Sequence, residues 1–336
     1  MRGERLRVVK ILELKEVKMS EIFFHFLNVG KGNCTVIEFP SGRLSVIDID
    51  DSRSMSEDER YFIVEGTSQK AKLTDPIVYI ANNYFSKYNE IFRFILTHPD
   101  MDHMSGIKEL FNRKYVRNFW DTNNDKYIDP DTWEDSPYNK EDWEFYQSIR
   151  ESAKDPKTLV LYRGDESECC WIQDRIEILS PTKELVDEAN KSDDYDHLSY
   201  VLMVRFAGRK ILLCGDATKK ALEDIINHYD EKNLKCDVLL APNHGSPNHI
   251  SKEILDIFNP DLTIVSVIKG TDYARELYSR YGKVLSTKHY GNIWVKIKED
   301  GKIYFQTEYQ NYNGHWYNLE DEKFKYLILF KNIEEK

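Results

Sequence analysis

The chain has 336 residues, 41% of them apolar and 13% aromatic, which is enough to bury a sizeable core in one large domain or two. Its apolar runs are too short to span a membrane, and a formal net charge of −11 excludes a dedicated nucleic-acid coat. Phosphate chemistry stays open wherever metal ions supply positive charge locally.

The first eighteen residues alternate charges without an apolar stretch and read as an N-terminal extension, not a signal peptide. The segment 21–50 reads as consecutive strands, broken at Gly30 and Gly32 and turning at Pro40-Ser41-Gly42. A helix is predicted over 75–89, opened by Pro76 in its first turn. A strand follows over 91–97, then a helix from about Asp102 to Phe111. Residues 121–198 are acidic, rich in Trp and Tyr and rich in turns, with one helix near 140–153 and a strand at 175–181. They read as an insertion that forms a cap. A hairpin turning at Ala207-Gly208 comes next, and helices and strands then alternate. One of these helices covers 272–282 and is closed by Gly282. This pattern predicts an α/β protein whose sheets are covered by helices. Residues 19–310 form the main domain and 311–336 a C-terminal tail. The five cysteines are odd in number, lack a C-x-x-C pair and follow no export signal, so a reduced, cytoplasmic protein is expected. Cys169 and Cys170 are read as loop or buried thiols rather than a redox or metal pair.

The string "LTHPDMDHMSG" at 96–106 packs His98, Asp100, Asp102 and His103 into six positions directly after an apolar strand. Asp48, Asp216 and His244 also stand where a strand gives way to a loop, and His197 just precedes one. Strand ends gather into a single rim in sheet proteins, where binding sites form. Imidazole and carboxylate suit divalent first-row metals, and oxygen-rich sets shift the balance toward Mn²⁺ or Mg²⁺. Asp216 can bridge two ions. Asp48 is read as a carboxylate orienting a ligand histidine. His249 and His289 are candidate proton donors.

With these residues in order, the sequence resembles the metallo-β-lactamase-fold hydrolases, whose usual string H-x-H-x-D-H is here H-P-D-M-D-H. Within them it looks most like the metallo-hydrolase domain of the ComEC/Rec2 competence proteins and their soluble stand-alone relatives. "FLNVGKGNCTVI", "VIDID", "SYVLMVRFAGRKILLCGDA" and "LAPNHGS" carry that likeness. The resemblance implies a four-layer αβ/βα sandwich with the metal site on the rim between two sheets. Carried over by position, it implies one ion at His98, Asp100, His197 and Asp216, and another at Asp102, His103, Asp216 and His244. Zinc or manganese would fill these sites, with magnesium an option. Asp100 stands in place of the usual histidine, Asn243 in place of a histidine, and Asp50 in place of a glycine.

The expected activity is therefore that of a soluble phosphodiesterase or nuclease in which a metal-bridged hydroxide, held near Asp102 and Asp216, attacks phosphorus. A phosphoester substrate follows, either single-stranded nucleic acid or a nucleotide, with no membrane and no identified protein partner. Two alternatives stand beside it. One is a hydrolase of cyclic or small nucleotides or of non-phosphate esters or lactams, with Trp120, Trp133, Trp143 and Tyr146 forming a stacking pocket. The other is a catalytically silent metal-binding module that recognises a partner.

Overall fold

The computed structural model describes residues 20–64, 66–165, 171–309 and 315–321. Cys169, Cys170, the N-terminal extension and most of the C-terminal tail lie outside the described residues.

Two sheets stack face to face. The first has nine strands in the order Tyr317–Asn318, Ile303–Thr307, Ile293–Lys298, Glu21–Phe26, Thr35–Glu38, Leu44–Ile47, Ile91–Ile95, Val116–Asp121 and Lys157–Val160. Pairing is antiparallel up to Leu44–Ile47 and parallel from there to the far edge. The second has six strands: Ile176–Ser180, Val201–Phe206, Arg209–Leu213, Val238–Leu240, Leu262–Val265 and Lys283–Ser286. It changes from antiparallel to parallel at Arg209–Leu213.

Alternation along the strands decides what lies between the sheets. In Glu21–Phe26 every second residue is buried, which turns Ile22, Phe24 and Phe26 inward. They join Ile37, Ile47, Ile95 and Trp120 from the first sheet and Leu202, Val204, Ile211, Leu213 and Leu240 from the second in one dry core. The opposite faces are covered by helices. Ile77, Ile80, Ile107, Leu110, Trp143 and Tyr146 pack with Val36, Val46, Phe94 and Phe119 of the first sheet. Leu222, Ile225, Ile254 and Phe258 pack with Leu212, Leu239 and Val265 of the second. Helix, sheet, sheet and helix layers make the αβ/βα sandwich the sequence implied.

Several expectations need correction. The helix expected over 102–111 is two short pieces, Met101–Met104 and Ile107–Arg113, because Gly106 between them takes φ 92°. The helix expected to close at Gly282 is a single turn, Arg275–Tyr278. Gly282 serves close packing instead, since a Cβ there would lie 2.3 Å from the carbonyl oxygen of Asp261.

The third correction concerns residues 121–198, which are not one cap. The helix Lys140–Ile149 buries Trp143, Tyr146 and Ile149 in the outer core, Lys157–Val160 is the last strand of the first sheet, and Ile176–Ser180 opens the second. Trp120, Trp143 and Tyr146 are 1%, 8% and 0% exposed, and Trp133 packs against the same outer core, so no aromatic stacking pocket forms from them. The loop 122–129 and the turn around 193–196 reach the rim, where they line an open pocket of 670 Å³ with Asp100.

Candidate metal centre

Every parallel strand of the central region ends on one rim, and side chains that can hold metal follow those ends. Asp48 leaves Leu44–Ile47, His98 leaves Ile91–Ile95, Asp216 follows Arg209–Leu213, and His244 follows Val238–Leu240. His103 and Asp102 sit on the one-turn helix Met101–Met104.

The local backbone aims them. Asp48 and His244 hold φ 55° and 52°, conformations that a side chain larger than glycine adopts at a cost of about 1–3 kcal/mol. Such strain clusters where a side chain must point to a particular place. Gly32 lets the "VGKGN" loop pass the metal motif, since a Cβ there would lie 1.7 Å from the carbonyl oxygen of Asp102. Asp50, standing where a glycine was expected, ties this loop by accepting from the Gly32 and Ser52 amides at 3.1 and 3.0 Å. Its burial, with the charges of Asp102 and Asp51 added, pushes its carboxyl up to about 7.

Three groups of ligand atoms come together, each with all atoms within 4.8 Å of one another: His98, His103 and Asp216; Asp102, His103 and His244; and His98, Asp100 and Asp196. Asp216 is central, with its Oδ2 3.1 Å from His244 Nε2 and 3.5 Å from His103 Nε2. His98 Nε2 lies 3.4 Å from Asp196 and 3.8 Å from Asp100. The rings of His98 and His103 are 4.1 Å apart between centroids.

The nitrogens facing away from this cluster are all engaged. His103 Nδ1 meets Asp48 Oδ2 at 2.8 Å, and His244 Nδ1 donates to the Ser266 carbonyl at 2.9 Å. The Thr97 hydroxyl donates to Asp48 at 2.8 Å, and so accepts from His98 Nδ1 at 3.1 Å. Each imidazole therefore keeps its Nδ1 proton on a fixed acceptor and turns Nε2 inward as a lone-pair donor. His103 Nε2 is buried and has no hydrogen-bond partner. An inward, orphaned nitrogen beside carboxylates is what a divalent cation satisfies.

The electrostatics agree. Burial alone would raise the Asp216 carboxyl, but His244 and His103 hold it well below the usual range. Burial alone would lower His103 and His244, but Asp216 pushes both upward, His103 with help from Asp48 and His244 to about 9. Aspartates this close to imidazoles demand positive charge between them, as protons or as metal.

The residues named from the sequence fall in different places. His98, Asp100, Asp102, His103, Asp216 and His244 all enter these groups, and Asp48 stands behind His103. His197 does not: its Nδ1 lies 3.4 Å from Asp194, and it joins none of the groups among the described residues. Its neighbour Asp196 takes the place beside His98. The turn Tyr195–Leu198 presents only one of the two residues to the rim. His249 and His289 also stay outside the groups, with His289 Nδ1 on the Ser286 hydroxyl at 2.9 Å. Sequence reasoning missed Asn33, whose amide donates to Asp216 at 3.2 Å, and the role of Asn243, whose amide donates to Asp196 at 2.8 Å.

Among known proteins, ComE operon protein 3 of Bacillus subtilis (strain 168) is 27% identical over 213 residues, covering 61% of this chain. The match spans about a quarter (24%) of that protein's length. Igni18, a metallo hydrolase from Ignicoccus hospitalis KIN4/I, is similar over 81% of this chain and 98% of its own, with a TM-score of 0.46 and 12% identity. CmlA, a diiron β-hydroxylase from Streptomyces venezuelae, is similar over 83% of this chain and 54% of its own, with a TM-score of 0.42 and 13% identity. No family model matches the chain. The sequence likeness to ComE-type proteins and the sandwich architecture with its metal-ligand rim agree with the resemblance drawn from the motifs.

Proposed function

We propose that this chain, a metallo-β-lactamase-type sandwich with ComE-like sequence, is a metal-dependent hydrolase that cleaves phosphodiester bonds. The observation that carries this reading is the convergence of three histidines and four aspartates on one rim, with Asp216 between His103 and His244. His98, Asp100, Asp196 and Asp216 would hold one ion, and Asp102, His103, Asp216 and His244 the other. Divalent ions supply a nucleophile at neutral pH and neutralise charge developing on phosphoryl oxygens.

The chain's own residues do the rest. Asp48 and the Ser266 carbonyl lock the imidazoles. Asp216 lies where it can serve both sets. Asp102, half-buried beside His103 and His244, would take a proton from water. The carboxylate-rich set around His98 favours Mn²⁺ over Zn²⁺.

A phosphodiester is favoured over a lactam because paired ions are suited to the two oxygens of an in-line displacement. The rim pocket is lined by Asp125, Asp193 and Asp194, which disfavours long duplex polyanions and favours short or single-stranded substrates or nucleotides. The test is hydrolysis of bis(p-nitrophenyl) phosphate, single-stranded DNA, RNA, cyclic dinucleotides and a chromogenic β-lactam, with Mn²⁺ and with Zn²⁺. Chelator-sensitive phosphodiester cleavage, lost in Asp216→Asn and His103→Ala, is expected. Cleavage of the lactam alone would overturn the substrate class. Metal binding without hydrolysis of any of these would favour a silent module.

A further inference from the structure

Lys126 lies outside the ligand groups yet touches one of their members. Its ammonium is paired with Asp100 and sits 5.2 Å from the centre of the Tyr195 ring. We propose that Lys126 is a tethered cation that competes with the metal ion for Asp100, so that the set built on His98, Asp100 and Asp196 binds its ion more weakly than the set built on Asp102, His103 and His244. This rests on the reading that both sets bind metal.

The loop carrying Lys126 is held from both sides. The Lys126 amide donates to Asn124 Oδ1 at 3.2 Å, and the Asn124 amide group donates to the hydroxyl of buried Tyr146 at 2.8 Å. The Arg150 guanidinium donates to the Asn124 carbonyl at 2.5 Å. From the other side, Asn190 accepts from the Asp125 amide at 3.1 Å and donates to the Asn123 carbonyl at 3.1 Å. The Tyr195 hydroxyl meets Asp125 at 3.2 Å. The Lys126 side chain is 19% exposed. A lysine on a loose surface loop would lose much of its pairing to entropy and solvent screening. Here the backbone is fixed and the ammonium is partly withdrawn from water, so the pair with Asp100 is prearranged.

Charge explains why a cation is placed there. Asp100, Asp196 and Asp216 bring three carboxylates to His98. Lys126 holds Asp100 Oδ1, while Oδ2 is the oxygen 3.8 Å from His98 Nε2, so a divalent ion at this set would share the carboxylate with the ammonium, and two cations on one carboxylate repel. The set around His103 has instead a buried imidazole nitrogen, His103 Nε2, without a hydrogen-bond partner. The two affinities should therefore separate, with one ion resident and one exchanging at the metal levels around it.

The test is calorimetric titration of the full chain with Mn²⁺ after chelator stripping, for wild type, Lys126→Met, Lys126→Arg and Asp100→Asn. Wild type is expected to bind two ions unequally. Lys126→Met should tighten the weaker site about tenfold or more and leave the tighter one unchanged. Lys126→Arg, which keeps the charge, should stay within about threefold of wild type. In an Asp100→Asn background the gain from Lys126→Met should vanish. Equal affinities in wild type and Lys126→Met, or equal tightening of both sites, would overturn the competition while leaving the two-metal reading standing. Absence of Mn²⁺ binding in every variant would overturn both. Thermal melts in chelator confirm that each variant is folded.

Discussion

Asp196 and His197 are neighbours in one 3-10 turn, and only Asp196 faces His98. The resemblance carries His197 into the ligand set by position, while three acidic residues, Asp193, Asp194 and Asp196, crowd the same stretch. The spacing in "DYDHLS" could not say which side chain the turn would point inward. Asp196→Ala should therefore weaken metal binding at the His98 set by at least about tenfold, whereas His197→Ala should change it little. Titration of both variants checks this, and a larger loss in His197→Ala would reverse the assignment. Asp48 was legible for a different reason: it ends a strand pattern beside the metal motif, and its carboxylate meets His103 at 2.8 Å. Asp48→Asn should lower affinity at the His103 set by about 10–100-fold while the protein stays folded, since the partner that fixes the ring is weakened but the ligand remains. Lys126 could not be read at all, because its pairing with Asp100 spans 26 residues and depends on how the loop after Val116–Asp121 is held.

At the scale of elements, alternation makes strands legible in the sequence, while helix ends depend on contacts that the sequence does not display. Glu21–Phe26 announces itself by Ile22, Phe24 and Phe26. The helix Pro76–Tyr84 was expected to run on to 89, yet the last part turns away and delivers Lys87 and Tyr88 to Glu38. That contact ties the first sheet to its covering helix. Burial would raise the Glu38 carboxyl, but His25, Lys87 and Tyr88 bring it down to about 2 from an ordinary 4.5. A carboxyl lowered by folding stabilises the protein fully above its unfolded value and loses that contribution as pH falls through the folded one. Glu38→Gln should cost about 1.5–3 kcal/mol near neutral pH. The gap to wild type should close as pH falls from about 5 toward 2. Chemical denaturation at several pH values reads it, and a gap that stays constant would mean the tie is not ionic. The helix Lys140–Ile149 makes the converse point. Its Trp and Tyr looked like ligand-binding aromatics, but Tyr146 is 0% exposed and belongs to the outer core. Tyr146→Ala should cost about 3–5 kcal/mol, as for any large core residue, read by chemical denaturation.

On the scale of the whole molecule, the two halves of the sandwich each supply part of the metal centre. His98, Asp102 and His103 come from the half built on the first sheet, and Asp196, Asp216 and His244 from the half built on the second. The halves are joined by the dry core and, at the opposite strand ends, by an ion pair. Arg93 of the first sheet meets Asp174 at 2.6 Å, both side chains being at most 1% exposed, and Asp174 leads into the first strand of the second sheet. Arg93 is the third residue of Ile91–Ile95 and precedes His98 by five positions, so about 7 Å of strand separates this tie from the point where the chain leaves the sheet for the rim. Removing one member of a buried pair strands charge, and Asp174→Ala should cost about 3–5 kcal/mol. An ion bound at the other end would hold together ligands that separate on unfolding. Ions present at about a thousand times their dissociation constant should add about 4 kcal/mol, seen as a rise in Tm that chelator reverses. Sites with no shared partner should contribute additively. The metal-induced rise should therefore be nearly the same in wild type and in Asp174→Ala, although the variant melts lower throughout. If the rise collapses in the variant, the ion pair is what holds the two halves of the metal centre in register, and the rim is not preorganised by the core alone.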